Sequence, residues 1–293
     1  MQGIFPVLQT PIRADGSINF DDLKNQVIFC IQTGAHGLVF PVLGSEFHYL
    51  SDRERYEGLI CVVEASAGQI PVVAGVAAPS ASVAAEHAHQ AAIANADAVI
   101  AMPPYITPAK GEDLVDYFKA ISNAAQRPIM VQHARIAPMG TAVLKRLLDE
   151  VEHIQYIKEE NDPSAHHISE VAQSLGSSCK GIFGGAHGRW MLSEMDRGAT
   201  GFMPAAHVVD VYAQVWDAFQ SGDKPGARQI FNRLLPLINL TWLLGLRVCK
   251  EVLKRRGVFQ TTHMRSPSAP VLDEADHREL DVILEDLKPL FKV

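Results

Sequence analysis

Eight short apolar runs, each followed by a longer amphipathic stretch, constrain this chain more than any other feature of it. They are Ile4 to Gln9, Gly37 to Val42, Pro71 to Gly75, Ala98 to Met102, Pro128 to Gln132, Ile154 to Lys158, Gly181 to Phe183 and Gly201 to Met203. Short continuous runs of this kind suit strands buried on both faces, and strands separated regularly by helical patterns build parallel sheets from βα units. The helix starts are legible, because Asn19 precedes FDDL and Ser51 with Glu54 forms an S-x-x-E capping box. Gly34 and Gly222 stand where two helices need a left-handed residue to stop. Eight strand–helix pairs within residues 1–222, with no low-complexity linker, predict a closed (β/α)8 barrel over an open doubly wound sheet. The open sheet also lacks its fingerprint: GIFGGAHG at 181–188 does not reproduce G-x-G-x-x-G in the first βα unit, and no Walker sequence occurs. Beyond Gly222 the pattern becomes wholly helical: Lys224 to Asn239, then a Leu-, Val- and Lys-rich stretch to Arg256 stopped by Gly257, then a last helix from about Asp273. Residues 223–293 are therefore expected to be a helical extension packed on the barrel of residues 1–222.

The composition supports a large core, at 47% apolar and 20% charged residues. A net charge of −7 and no basic block longer than Lys254 to Arg256 give no electrostatic basis for binding nucleic acid. The cysteines, Cys30, Cys61, Cys179 and Cys249, show no CxxC spacing, so neither a zinc knuckle nor a disulfide framework is suggested and buried thiols are expected. MQGIFPVLQTPI lacks the basic-then-apolar pattern of a leader, and no run approaches the roughly 18 apolar residues of a membrane span. A cytoplasmic location is the expectation.

A barrel of this class places its active site where the strands end, so the chemistry is sought there. The sixth run ends in IQYIKEEND, residues 154–162. Side chains two apart on a strand share a face, so Ile154, Tyr156, Lys158 and then Glu160 are expected to point one way, bringing an amine beside a carboxylate. An amine held partly out of water there can attack a ketone and form a Schiff base, with Glu160 moving protons beside it. The residues alone equally allow a surface lysine followed by solvated glutamates. The second run ends in VLGSEF, where Gly44 permits close backbone approach and Ser45 offers a hydroxyl suited to a carboxylate, or where the two simply make a turn. In MPPYITP, Pro103 and Pro104 hold Tyr105 in a fixed direction, as a proton relay or a packing anchor. Gln132 shares the inward parity of Met130 and can reach a substrate, whereas His133 faces the helices as a structural histidine. Gly184 and Met203 complete the expected wall. The 12 histidines show no ligand spacing, so no metal is expected, and no G-x-S-x-G elbow supports a serine hydrolase.

These motifs together resemble the pyruvate-dependent class I aldolases and dehydratases grouped with dihydrodipicolinate synthase and N-acetylneuraminate lyase. The resemblance runs through FPVLQTPIRADGSINFDDL (5–23), SEFHYLSDRER (45–55), PVVAG, MPPYITP, YIKEEND, RGATGFM and the tail KEVLKRRG with MRSP. It implies that Lys158 is the Schiff-base lysine, that the covalent imine replaces any cofactor, and that Tyr105 approaches a site across a subunit interface in a homodimer or homotetramer. Two departures stand out. Leu43 and Gly44 replace the hydroxyl pair of the family's G-T-T-G-E motif, and Gln132 replaces the tyrosine that serves aldol chemistry. I-M-V-Q, MPPY, K-x-E and GATG are similar to the subgroup that dehydrates 2-keto-3-deoxy sugar acids such as 2-keto-3-deoxy-L-arabonate, in which the glutamate two after the lysine is catalytic. QHAR replaces that subgroup's Q-D-A-P. The expected function is a Schiff-base dehydratase, a carbon–oxygen lyase, of a 2-keto-3-deoxy sugar acid. The alternatives are a pyruvate-forming aldolase using the same lysine, or a barrel that binds a keto acid without turnover.

Overall fold

A computed structural model describes residues 1–267 and 269–293, Ser177 by its backbone only. Eight parallel strands follow the expected runs: β1 (Gly3–Ile4), β2 (Leu38–Phe40), β3 (Val72–Gly75), β4 (Ala98–Ala101), β5 (Ile129–His133), β6 (Ile154–Glu159), β7 (Gly181–Gly184) and β8 (Gly201–Phe202). Their hydrogen-bonded order is β1-β8-β7-β6-β5-β4-β3-β2, each strand beside its neighbour in sequence. The ring closes where Val7 bridges Val39, with Leu8 N–H donating to Val39 O (3.0 Å) and Val39 N–H to Pro6 O (3.0 Å). β1 is shorter than its apolar run because Pro6 has no N–H to give to a ladder. The chain is a (β/α)8 barrel.

Strand alternation sorts the apolar side chains into two layers. Phe5, Val39, Val73, Ile100, Met130 and Phe183 fill the barrel lumen, while Leu38, Phe40, Val99, Val131 and Ile157 face the surrounding helices. Helix α1 (Phe20–Thr33) starts at Asn19, whose side chain accepts the Asp22 N–H, and stops at Gly34 in the left-handed region (φ 99°). Helix α2 (Asp52–Ser66) carries the Ser51–Glu54 capping box. Around the barrel follow α3 (Ala81–Ile93), α4 (Glu112–Ala125), α5 (Thr141–Glu150), α6 (Ser164–Leu175), the short α7 (Met191–Met195) and α8 (Val209–Gln220).

The extension is built from α9 (Lys224–Leu244), α10 (Leu246–Arg255) and α11 (Glu274–Leu287). Helix α9 runs through Pro236 and past the expected end at Asn239, and stops at Gly245, which takes φ 73°. That added length carries Trp242 to the end of the barrel where the strands finish. Buried ion pairs tie these helices down. Lys250 Nζ lies 2.6 Å from Glu46 Oε2, just after β2, and Arg256 holds both carboxylate oxygens of Asp210 at 2.9 and 2.6 Å. Among the described residues, no helix is long and apolar enough to cross a membrane.

Candidate active site

β6 and β5 pair with an irregularity between Ile129 and Met130, so that Ile129 opposes Ile154 but Met130 opposes Tyr156. The extra residue shifts the parity expected from Ile154 onward: Ile154 packs in the outer layer, and the inward series begins at Tyr156. From there the alternation holds. Lys158 points into the lumen, 4% exposed, while Glu159 points out among the helices. Glu160 lies one residue past the strand, where its N–H still donates to His133 O (3.1 Å) and continues the ladder. Lys158 and Glu160 meet in a cavity of about 300 Å³ at the C-terminal end of the strands, with Gln132, Gly44, His187 and Met203 among its walls.

Three donors converge on the Glu160 carboxylate. Lys158 Nζ is 3.1 Å from Oε1, the Ala186 N–H donates to the same oxygen at 3.1 Å, and Gln132 Nε2 donates to Oε2 at 2.6 Å. Burial pushes this carboxyl's pKa up, but the Lys158 charge and the Gln132 and Ala186 hydrogen bonds outweigh it and hold the group below the usual range. Glu160 is therefore ionised at neutral pH, the form a base requires. Gly185 makes the arrangement possible. A Cβ on Gly185 would stand 2.5 Å from Glu160 Cδ, so only glycine lets the loop after β7 lie against the carboxylate. The next residues, Ala186 and His187, take positive φ (46° and 56°), and Tyr212 donates its hydroxyl to His187 O at 2.7 Å. His187 lines the cavity with its Nδ1 buried and unpartnered among the described residues. Burial lowers its pKa to about 4, against the Glu160 carboxylate and with help from the Lys158 and Arg189 cations, so the ring is neutral.

The other expected site residues are placed unevenly. Gly44 and Met203 line the cavity. Ser45 does not present its hydroxyl there: it is fully buried, and its Oγ accepts the Val42 N–H (3.2 Å) inside a tight turn. Gly184 stands behind the wall, where a side chain would collide with the Glu194 carboxylate and the Phe202 ring. Tyr105 also lies outside the cavity wall, half-buried and edge-on to Phe47 with ring centroids 5.8 Å apart. His133 faces the helices as its parity requires. Its Nε2 accepts the Met139 N–H (2.8 Å), which leaves Nδ1 to donate to Glu159 Oε2 (2.7 Å). Gly185, the Ala186 amide, His187 and Trp242 are site residues that strand parity did not reveal. The paired glycines after the seventh run were the available signal for the first three.

Comparison with known proteins follows the same lines. The model of the family described as "Dihydrodipicolinate synthetase family" matches residues 1–287. The L-2-keto-3-deoxyarabonate dehydratase of Azospirillum brasilense is 29% identical over 99% of this chain and 95% of its own length. A 4-hydroxy-tetrahydrodipicolinate synthase of Bifidobacterium longum is 28% identical over 93% of this chain and 92% of its own. Among solved structures, dihydrodipicolinate synthase from Rhodopseudomonas palustris superposes with a TM-score of 0.89 at 25% identity, covering 98% of both chains. N-acetylneuraminate lyase of Proteus mirabilis shares the fold, with a TM-score of 0.87 at 19% identity over 100% of this chain and 99% of its own.

Proposed function

The chain belongs to the dihydrodipicolinate synthetase family, and from that premise we propose that it is a lyase, a Schiff-base-forming dehydratase of a 2-keto-3-deoxy sugar acid. The observation that carries this reading is Lys158 Nζ at 3.1 Å from an ionised Glu160, with Gln132 in hydrogen-bond contact on the other oxygen. Lys158 must shed a proton before it can attack, and Glu160 Oε1 is within reach to take it. Attack on the ketone carbon C2 gives a carbinolamine whose hydroxyl takes the proton back from Glu160 and leaves as water, which restores the carboxylate and yields an iminium whose positive charge acidifies the C3–H. Glu160 removes that proton, and the electron pair becomes an enamine. The enamine expels the C4 hydroxyl, which takes the C3 proton back from Glu160 and leaves as water, and a second water then cleaves the unsaturated imine to return the dehydrated keto acid and free Lys158.

A retro-aldol reaction would instead need a base on the C4 hydroxyl to break the C3–C4 bond. Gln132 cannot serve as that base, because a side-chain amide does not accept a proton near neutral pH. Elimination is thus the reaction these side chains fit. The same proposal assigns residues 223–293 to one working unit with the barrel, since Trp242 and Leu246 wall the cavity. It includes a homo-oligomer in which Tyr105 reaches a neighbouring subunit's site, and it needs no cofactor beyond the imine on Lys158. Turnover of a panel of 2-keto-3-deoxy sugar acids, with products identified by mass spectrometry, tests it. Release of pyruvate and an aldehyde without any dehydrated acid would defeat the reading. Lys158→Ala should lose the borohydride-trapped pyruvate adduct, whereas Glu160→Gln should keep the adduct and lose about 100-fold or more in kcat.

A further inference from the structure

The cavity wall divides by strand. Where β5, β6 and β7 end it is polar, with Gln132, Lys158, Glu160 and His187. Three of these are engaged with one another, since Lys158 Nζ is 3.1 Å from Glu160 and Gln132 donates to the same carboxylate at 2.6 Å. Across the barrel, where β8, β1 and β2 end, the wall is hydrocarbon and includes Met203, Ala205, Val7 and Leu43. Trp242 and Leu246, on either side of the junction between α9 and α10, carry that surface out to the mouth. Apart from the Trp242 indole N–H, no wall side chain of this half holds a hydroxyl, amide, carboxyl or ammonium group among the described residues. Arg189 and Arg135 lie over the Trp242 ring, 4.3 and 5.9 Å from its centroid, and neither lines the cavity. Their attraction to the ring face helps to fix the indole in the wall.

We propose that the end of the substrate remote from its ketone is hydrocarbon, so that the preferred 2-keto acid finishes in an alkyl group where a sugar acid usually carries a hydroxymethyl. The inference rests on the proposed function in taking Lys158 as the ketone end. Ile100, Met130 and Tyr156, paired side by side on β4, β5 and β6, close the lumen below Lys158. A chain with C2 bonded to Lys158 therefore extends only toward the mouth. Its C3 and C4 must stay beside Glu160, on the polar half. The carbons beyond them meet Leu43, Trp242 and Leu246. A hydroxyl against that half gives up water and finds only an indole N–H, which cannot accept its proton. An alkyl group gives up no hydrogen bond, and each methylene fully removed from water favours binding about fourfold.

Calorimetric titration of the full-length protein with pyruvate, 2-oxobutanoate, 2-oxopentanoate and 2-oxohexanoate tests this, with 2-oxoadipate as the polar-ended counterpart of 2-oxohexanoate. None of these acids carries a C4 hydroxyl, so binding is read apart from dehydration. The mouth is partly open, Trp242 being 44% exposed, so the three added methylenes should gain less than full burial would give. The expected result is that 2-oxohexanoate binds about tenfold or more tighter than pyruvate, and tighter than 2-oxoadipate by a similar factor. Leu246→Asn and, independently, Trp242→Gln should bring both ratios toward one. Equal dissociation constants along the alkyl series, tighter binding of 2-oxoadipate than of 2-oxohexanoate, or ratios unchanged in both variants would overturn the inference. Borohydride trapping of pyruvate and 2-oxohexanoate is read in parallel. A tenfold ratio without any adduct would remove Lys158 as nucleophile and leave the apolar end standing, whereas adducts with both acids at equal affinity would do the reverse.

Discussion

Replacing Gly185 with alanine perturbs the proposed base without substituting either reacting side chain. The added methyl would stand 2.5 Å from Glu160 Cδ, whereas ordinary contacts begin near 3.4 Å. Either the carboxylate retreats by about 1 Å or the loop after β7 moves by a similar amount. Each outcome breaks the same geometry, because Oε1 is held at 3.1 Å by both Lys158 Nζ and the Ala186 N–H, the latter belonging to that loop. A displacement of about 1 Å at a reacting group costs about 100-fold in rate, close to 3 kcal/mol in the barrier. Gly185→Ala should therefore lower kcat for dehydration about 100-fold. Imine formation with pyruvate, followed as the borohydride adduct by intact mass, should survive, since the lysine itself is unmoved. If the methyl acts through Glu160, adding it to Glu160→Gln should cost little more than Glu160→Gln alone. A Gly185→Ala enzyme with kcat within threefold of wild type would refute the reasoning, as would strict additivity of the two changes.

Gln132→Ala removes a donor from the ionised form of Glu160, so the pKa of Glu160 should rise and the acid limb of the kcat profile should move to higher pH; an unmoved limb would remove Glu160 as the titrating base. Glu194 is buried behind β7, and burial, opposed by the Ser164 hydrogen bond and reinforced by Glu159, Glu160 and Asp162, raises its pKa to about 7. A carboxyl that folds more readily protonated binds more protons in the native state, so stability is fullest below about pH 4 and falls as pH rises through 7, by roughly 3 kcal/mol at most. Glu194→Gln should flatten that fall in Tm between pH 5 and 8, and an unchanged slope would discard the assignment. Lys250→Met leaves the Glu46 carboxylate buried without its ammonium and should cost roughly 3–5 kcal/mol in urea unfolding; a loss below about 1 kcal/mol would show that the pair does not secure the extension.

What could be read in advance was whatever depends on one strand or one helix alone. Seven of the eight runs end within a residue or two of the strands, the exception being the first, whose run to Gln9 outlasts β1 at Ile4, because burial on both faces demands continuous apolar character and the polar residue that follows marks the rim. Lys158 and Glu160 were legible for that reason, and His133 was correctly turned outward by parity. The errors arise where position depends on a second element. Ile154 lies in the outer layer because β6 carries one more residue than the stretch of β5 it faces, a mismatch that neither strand shows by itself. Ser45 was offered to a carboxylate on the chemistry of a hydroxyl beside free amides, yet the turn after β2 folds that hydroxyl back onto Val42. Trp242 reached the mouth only because α9 continues to Gly245. The paired glycines at 184 and 185 carried the most unread information. Each allows a different carboxylate to approach β7, Glu194 from the helix side and Glu160 from the lumen, and a side chain at either would drive the nearer acid away. A strand that ends in two such glycines, next to one that ends in Lys-x-Glu, therefore marks where the glutamate is held, and this sets Glu160 apart from Glu159 as the candidate base.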